Sequence, residues 1–211
     1  VTYLNGVIVK LLSPTAVGLG ETWGESTSNS GNDRLVNIQN VIGTQYDDTF
    51  SGADNTNNSF DGGAGGSDLV DYSYYKSNAI TVNLDEGWAT GQGTDSFKNI
   101  DAIRGTDILA FGDTLIGSST QGNTLYGMAG NDIIKGMGGN NSLYGGSGND
   151  TIYSGKDDDF IDGGTGVDTV SYEEVTTGGV TVYLGKENIP QNTINAGNDT
   201  LKNIQNVIGT V

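Results

Sequence analysis

Aspartate carries whatever chemistry this chain can do. Residues 127–171 divide without a gap into five nine-residue units, GMAGNDIIK, GMGGNNSLY, GGSGNDTIY, SGKDDDFID and GGTGVDTVS, whose sixth places hold Asp132, Asn141, Asp150, Asp159 and Asp168. Carboxylates and an amide at one recurring place offer oxygen ligands, which suit hard cations. The chain has no cysteine and no histidine, so disulfides, thiolate centres and imidazole sites for zinc or copper are excluded. A zinc-protease H-E-x-x-H is excluded with them. The sequence also has no G-x-S-x-G elbow and no dinucleotide fingerprint, so no catalytic machinery is expected.

The elements that position these aspartates are turns and very short strands. The eighth place of each unit is apolar, reading Ile134, Leu143, Ile152, Ile161 and Val170. In a G-G-x-G-x-D-x-U-x unit the glycines permit a tight turn, and the last three residues form a strand with one side chain pointing inward. Two units make a coil of about 18 residues, with stacked strands roughly 4.8 Å apart. Sixth places 18 apart then stack, placing Asp132, Asp150 and Asp168 on one edge and Asn123, Asn141 and Asp159 on the other.

Two carboxylates about 5 Å apart repel by roughly 3 kcal/mol at an effective dielectric near 20. Calcium relieves this best, because it takes six to eight oxygens in loose geometry where magnesium demands an octahedron. Three gaps are expected to hold an ion: Asp132 to Asp150, Asp150 to Asp168, and Asn141 to Asp159. The gap from Asn123 to Asn141 has no carboxylate.

Looser copies precede this block at ten-residue spacing, with Asp113 before Leu115 and Asn123 before Leu125. An earlier block repeats the spacing, with Asp48 before Phe50, Asn58 before Phe60 and Asp68 before Val70. Asp48, Asp68 and Asp113 therefore join the candidate metal ligands.

A longer repeat occurs three times between the blocks. Each copy opens on alternating residues, at 7–11, 80–84 and 180–184, which reads as a strand. Each closes on an Asp-x-apolar triplet at Asp33, Asp95 and Asp199, an Asn-Ile pair at 37, 99 and 203, and a Gly-Thr pair at 43, 105 and 209. These three aspartates are expected to be turn residues at strand edges, Trp23 and Trp88 to pack beneath loops, and Asp157, Asp158, Glu173 and Glu174 to be solvated. No helical periodicity is sustained anywhere.

The nonapeptides at 127–171 resemble the repeats-in-toxin, or haemolysin-type calcium-binding, family, and the looser blocks and spacers resemble segments accompanying such repeats in large bacterial secreted and surface proteins. The resemblance implies an all-β fold, a right-handed parallel β-roll or β-solenoid with interleaved irregular β segments. It also implies calcium-triggered folding and type I secretion to the extracellular space or cell surface. It assigns carboxylate ligands to Asp132, Asp150, Asp159 and Asp168 and carbonyl ligands to Gly127, Gly145 and Gly163. Asn141 and residues 154–158 depart from the pattern.

Composition agrees with a thin solenoid. There are 35 glycines and 2 prolines among 211 residues, and hydrophobic residues make up only 34%. The net charge is −17, which argues against nucleic acid and anionic membranes as partners. No apolar run reaches the roughly 18 residues of a membrane helix.

The expected partition is a β spacer at 1–43, a degenerate block at 44–72, a spacer at 73–104, the calcium-binding β-roll at 105–171 and a spacer at 172–211. All five parts would form one solenoid cut from a longer chain. The leading expectation is a calcium-binding structural module of an adhesin, surface-layer protein or toxin. The alternative is the trailing segment of a secreted protease, lipase or polysaccharide-modifying enzyme. Expected partners are several Ca2+ ions and neighbouring domains of the same chain, with self-association or a cell-surface glycan left open. An ice- or sugar-binding face would need a ladder of one residue type, and the third places read Ala129, Gly138, Ser147, Lys156 and Thr165.

Overall fold

The computed structural model describes residues 8–10, 24–28, 31–35, 38–53 and 55–210. Those residues form 21 strands of two to six residues and no helix. The strands build one eleven-stranded and one ten-stranded sheet. The chain alternates between them through the nonapeptides, so Thr114–Ile116, Ile133–Lys135, Thr151–Tyr153 and Thr169–Ser171 lie in the second sheet. Thr124–Ala129, Ser142–Ser147 and Phe160–Thr165 lie in the first. This is the all-β roll read from the repeats.

All these neighbours pair in parallel and in constant register. Leu125 pairs with Leu143 and Leu143 with Ile161 in one sheet, while Ile134 pairs with Ile152 and Ile152 with Val170 in the other. A three-residue strand can point only its middle side chain inward, and that residue is the apolar eighth place. Each of these six is fully buried. The same columns continue through the looser block as Phe50, Val70 and Ile103 on one side and Phe60, Val82 and Leu115 on the other. The core is thus one apolar side chain thick per sheet.

The spacers enter the roll by reversing direction twice. Thr81–Asn83 pairs antiparallel with Trp88–Thr90, which pairs antiparallel with Thr94–Lys98. The outer two strands are therefore parallel to the rest, and Phe97 pairs with Phe60 of the preceding block while Val82 pairs with Leu115 of the following one. The first copy repeats this order, with Ile8–Lys10 pairing with Thr49–Ser51 of its following block and, antiparallel, with Gly24–Ser28. In the third copy Asn198–Lys202 pairs with Phe160–Thr165 of the preceding block.

Two expectations for the spacers fail. Residues 180–184 form no strand, whereas in the other copies this segment pairs with the first strand of the block that follows. Trp88 is only half-buried, and its indole N–H donates to Glu86 at 2.6 Å. Ala89 takes the inward position of that strand. Trp23 and the Asp33 side chain lie outside the described residues.

Candidate metal centre

Each sixth-place residue stands at the entrance to a strand, so the parallel register of the strands stacks these side chains in two ladders. On one edge the Asp113 N–H donates to Asp132 Oδ1 at 2.7 Å, Asp132 N–H to Asp150 Oδ1 at 2.8 Å and Asp150 N–H to Asp168 Oδ1 at 2.9 Å. Asp168 N–H then donates to Gln205 Oε1 at 2.6 Å. On the opposite edge the bonds run from Asn123 to Asn141 at 2.8 Å, Asn141 to Asp159 at 2.7 Å and Asp159 to Asp199 at 3.0 Å. The looser block has the same rungs, with Asp48 donating to Asp68, Asp68 to Asp101 and Asn58 to Asp95. Within the nonapeptides the rungs are 18 residues apart.

Apart from Asp101, which accepts through Oδ2, and Gln205, which accepts through Oε1, the rungs accept through Oδ1 and differ in what Oδ2 meets. Asp132, Asp150, Asp159 and Asp168 each have a buried Oδ2 with no hydrogen-bond partner. Carbonyl oxygens face the same places. A β-carbon added at Gly127 would collide with Asp132 Oδ2 and the Gly145 carbonyl, and one at Gly145 with Asp150 Oδ2 and the Gly163 carbonyl. At Gly163 it would meet Asp168 Oδ2 and the Asn203 carbonyl, and at Gly62 it would meet Asp68 Oδ2 and the Asn99 carbonyl. Asn99 and Asn203 both have φ of 53°, a left-handed conformation that asparagine tolerates better than most residues. That geometry gives the Asn-Ile pairs of the spacers a purpose.

The remaining rungs are already supplied with donors. Thr106 N–H donates to Asp113 Oδ2 at 2.6 Å, and Thr44 donates through its N–H to Asp48 Oδ2 and through its hydroxyl to Asp48 Oδ1. Asn141 Nδ2 donates to Asp159 Oδ1 and to the Gly139 carbonyl. Asp95 and Asp199, expected at strand edges, instead lie within strands and are buried rungs. Their second oxygens accept from Tyr72 at 2.8 Å and Tyr172 at 2.9 Å. Of the acidic residues expected to be solvated, Asp157 accepts from Gly139 N–H, Asp158 from Asn198 N–H, and Glu174 pairs with Lys135 at 2.6 Å.

Burial disfavours the charged carboxylate and here outweighs the N–H donor at Oδ1. It pushes Asp132 up to about 7, helped by the charges of Asp113 and Asp150. Burial likewise raises Asp150 to about 6 and Asp159 to about 8, with Asp168 and Asp199 as the respective charged neighbours adding to it. Asp168 moves in the same direction for the same reason. Buried carboxylate oxygens facing carbonyls, with no donor between them, fit a cation and nothing anionic. No group of three or more acidic, histidine or cysteine side chains converges among the described residues, so such a site must draw on backbone carbonyls. Calcium accepts that mixture.

The comparison with known families falls on the same residues. Segments 109–143, 118–152 and 135–170 match the family model of the RTX calcium-binding nonapeptide repeat (4 copies). The match covers less than a third of the chain and contains all four orphaned carboxylates. No curated protein matches the chain. Repeat register, parallel roll, orphaned oxygens and family match coincide over one stretch, and on that ground residues 109–170 carry RTX calcium-binding nonapeptide repeats.

Proposed function

We propose that this chain is a calcium-stabilised structural module of a secreted or cell-surface protein, of the kind found in adhesins, surface layers and toxins, which folds on meeting extracellular calcium. The observation that carries the reading is the set of four buried Oδ2 atoms at Asp132, Asp150, Asp159 and Asp168 without partners. The bound ion supplies positive charge between stacked rungs. The chain supplies the ligands: Asp132 with the Gly145 carbonyl, Asp150 with that of Gly163, Asp168 with that of Asn203, and Asp159 beside Asn141. Gly127, whose carbonyl meets Asp113 Oδ2 at Gly105, belongs to the same column. Asp68 with the Asn99 carbonyl is the counterpart in the looser block, where Asp48 opens the column.

In this reading the blocks at 44–72 and 105–171 are calcium-dependent, and the segments at 1–43, 73–104 and 172–211 join them into one solenoid. The role is structural rather than catalytic. Secretion follows from the habit of RTX proteins, and it gives the folding switch its purpose, since export precedes exposure to high calcium.

The test is a far-ultraviolet circular dichroism titration with calcium chloride from nil to about 10 mM, with magnesium as control. A cooperative coil-to-β transition specific to calcium is expected. A chain already fully β in chelator, with a melting temperature indifferent to calcium, would overturn the proposal.

A further inference from the structure

We propose that Tyr72 and Tyr172 are built-in substitutes for the cation, closing each repeat block with a phenolic hydroxyl where an interior rung needs an ion. The inference rests on reading the orphaned Oδ2 atoms as calcium ligands. Asp68, Asp95, Asp132, Asp150, Asp159, Asp168 and Asp199 each accept a backbone N–H at Oδ1, so the second oxygen distinguishes one of these rungs from another. At Asp95 and Asp199 the Oδ1 atoms accept from Asn58 and Asp159 in the ordinary way, and the Oδ2 atoms accept from the two tyrosines, with a longer contact of 3.5 Å from the Thr193 hydroxyl to Asp199 Oδ2. A hydroxyl donates one hydrogen bond to a carboxylate without adding charge, which leaves no buried oxygen orphaned.

The arrangement occurs twice, in the same local setting. Each tyrosine directly follows the last strand of a block, Leu69–Asp71 or Thr169–Ser171. Each donates its N–H to a carbonyl of the spacer, Arg104 or Ile208, at 2.9 Å, and each accepts at its own carbonyl from the residue three further on, Tyr75 or Val175, at 3.0 Å. Both rings are buried, at 1% and 0% exposure. Burial beside a carboxylate holds both phenols well above their usual range, so they stay protonated as donors.

The opposite end of each block is closed by the threonine of the Gly-Thr pair, through Thr44 on Asp48 and Thr106 on Asp113. The threonines start one ladder of each block and the tyrosines end the other, so on the edge of Asp95 and Asp199 the spacer completes the ladder without metal, while on the other edge the Asn99 and Asn203 carbonyls face Asp68 and Asp168.

The test combines calcium-binding stoichiometry, by equilibrium dialysis against calcium chloride, with the thermal midpoint in saturating calcium, for the full chain. Asp199→Asn is expected to fold, since asparagine already serves as a rung at 58, 123 and 141, and to bind as many ions as the parent. Asp150→Asn should release at least one ion. Tyr172→Phe should keep the ion count and lower the midpoint by several degrees, and Tyr72→Phe should do the same independently.

The double change Tyr172→Phe with Asp199→Asn should recover much of the loss, because no buried charge is then left unpartnered. An ion lost on Asp199→Asn, an unaltered midpoint in both phenylalanine variants, or strictly additive losses in the double variant would each overturn the proposal. A parent chain that binds no calcium would instead overturn the calcium reading, while the coupling between Tyr172 and Asp199 still reports on the cap.

Discussion

At the scale of single residues, the ladders distinguish ligands from scaffold by what each atom lacks. Asp150 stands between two gaps, so Asp150→Asn weakens both. A loss of about 1.4 kcal/mol corresponds to a tenfold rise in the calcium midpoint, and at least that is expected in a calcium titration followed by circular dichroism. Gly145 carries no positive φ, so its demand for glycine comes from the crowding of Asp150 Oδ2 and the Gly163 carbonyl alone. Gly145→Ala should abolish the calcium transition. Gly179→Ala, with nothing within 4 Å of the added carbon, should stay within about 0.5 kcal/mol of the parent. Equal behaviour of the two variants in chemical denaturation would contradict the cradle.

Met128 and Met137 show the converse, because they occupy the second place of the unit with φ of 79° and 69° where Gly146, Gly155 and Gly164 sit in the same region. A left-handed non-glycine residue costs roughly 1–2 kcal/mol. Met137→Gly should therefore stabilise the calcium-loaded chain by up to about 1 kcal/mol in urea melts, the entropy of the unfolded glycine offsetting the remainder.

At the scale of elements, the two ladders act as columns of weak acids when no cation is present. Burial holds Asp68 and Asp150 near 6, Asp132 and Asp199 near 7 and Asp159 near 8, against about 3.9 in an unfolded chain. Between about pH 4 and pH 8 the folded state therefore binds more protons than the unfolded one, and metal-free stability falls as pH rises through the folded values. In chelator the chain should hold more β structure at pH 5 than at pH 8, and saturating calcium should flatten that trend by replacing protons. A chelated chain indifferent to pH over that range would show that burial does not govern these carboxylates.

How much of this was legible in the sequence follows from spacing. The nonapeptides keep one register, so the stacking of Asp132 on Asp150 on Asp168 follows from counting to 18, and the inward column from Ile134 to Val170 with it. The spacers resist counting. The partners of Tyr72 and Tyr172 lie 23 and 27 residues further on, across loops of unequal length. A signal did exist: Val70-Asp71-Tyr72 and Val170-Ser171-Tyr172 end the two blocks alike. The antiparallel turn-back of Trp88–Thr90 had no comparable mark, because a three-residue strand of either direction shows the same alternation.

At the scale of the whole molecule, the sheets leave little to hold the coils together except one apolar residue per strand and the rungs at the two edges. A net charge of −17 opposes that compact state. Calcium at about ten times its dissociation constant adds about 1.4 kcal/mol for each site, so a few sites supply a large share of the roughly 5–15 kcal/mol that stabilises an ordinary domain. Neutral salt screens the exposed part of the repulsion but cannot reach the buried Oδ2 atoms. Sodium chloride alone should therefore leave the chain expanded.

The expansion is measurable by small-angle X-ray scattering. An unfolded chain of this length has a radius of gyration of about 50 Å. Eleven strands stacked about 4.8 Å apart make a rod about 50 Å long, whose radius of gyration is about 17 Å. Calcium should contract the chain from the first value to the second in a single step, while magnesium or sodium at equal ionic strength should not. Contraction by all three would mean that screening, and not ligation at Asp132, Asp150, Asp159 and Asp168, closes the roll.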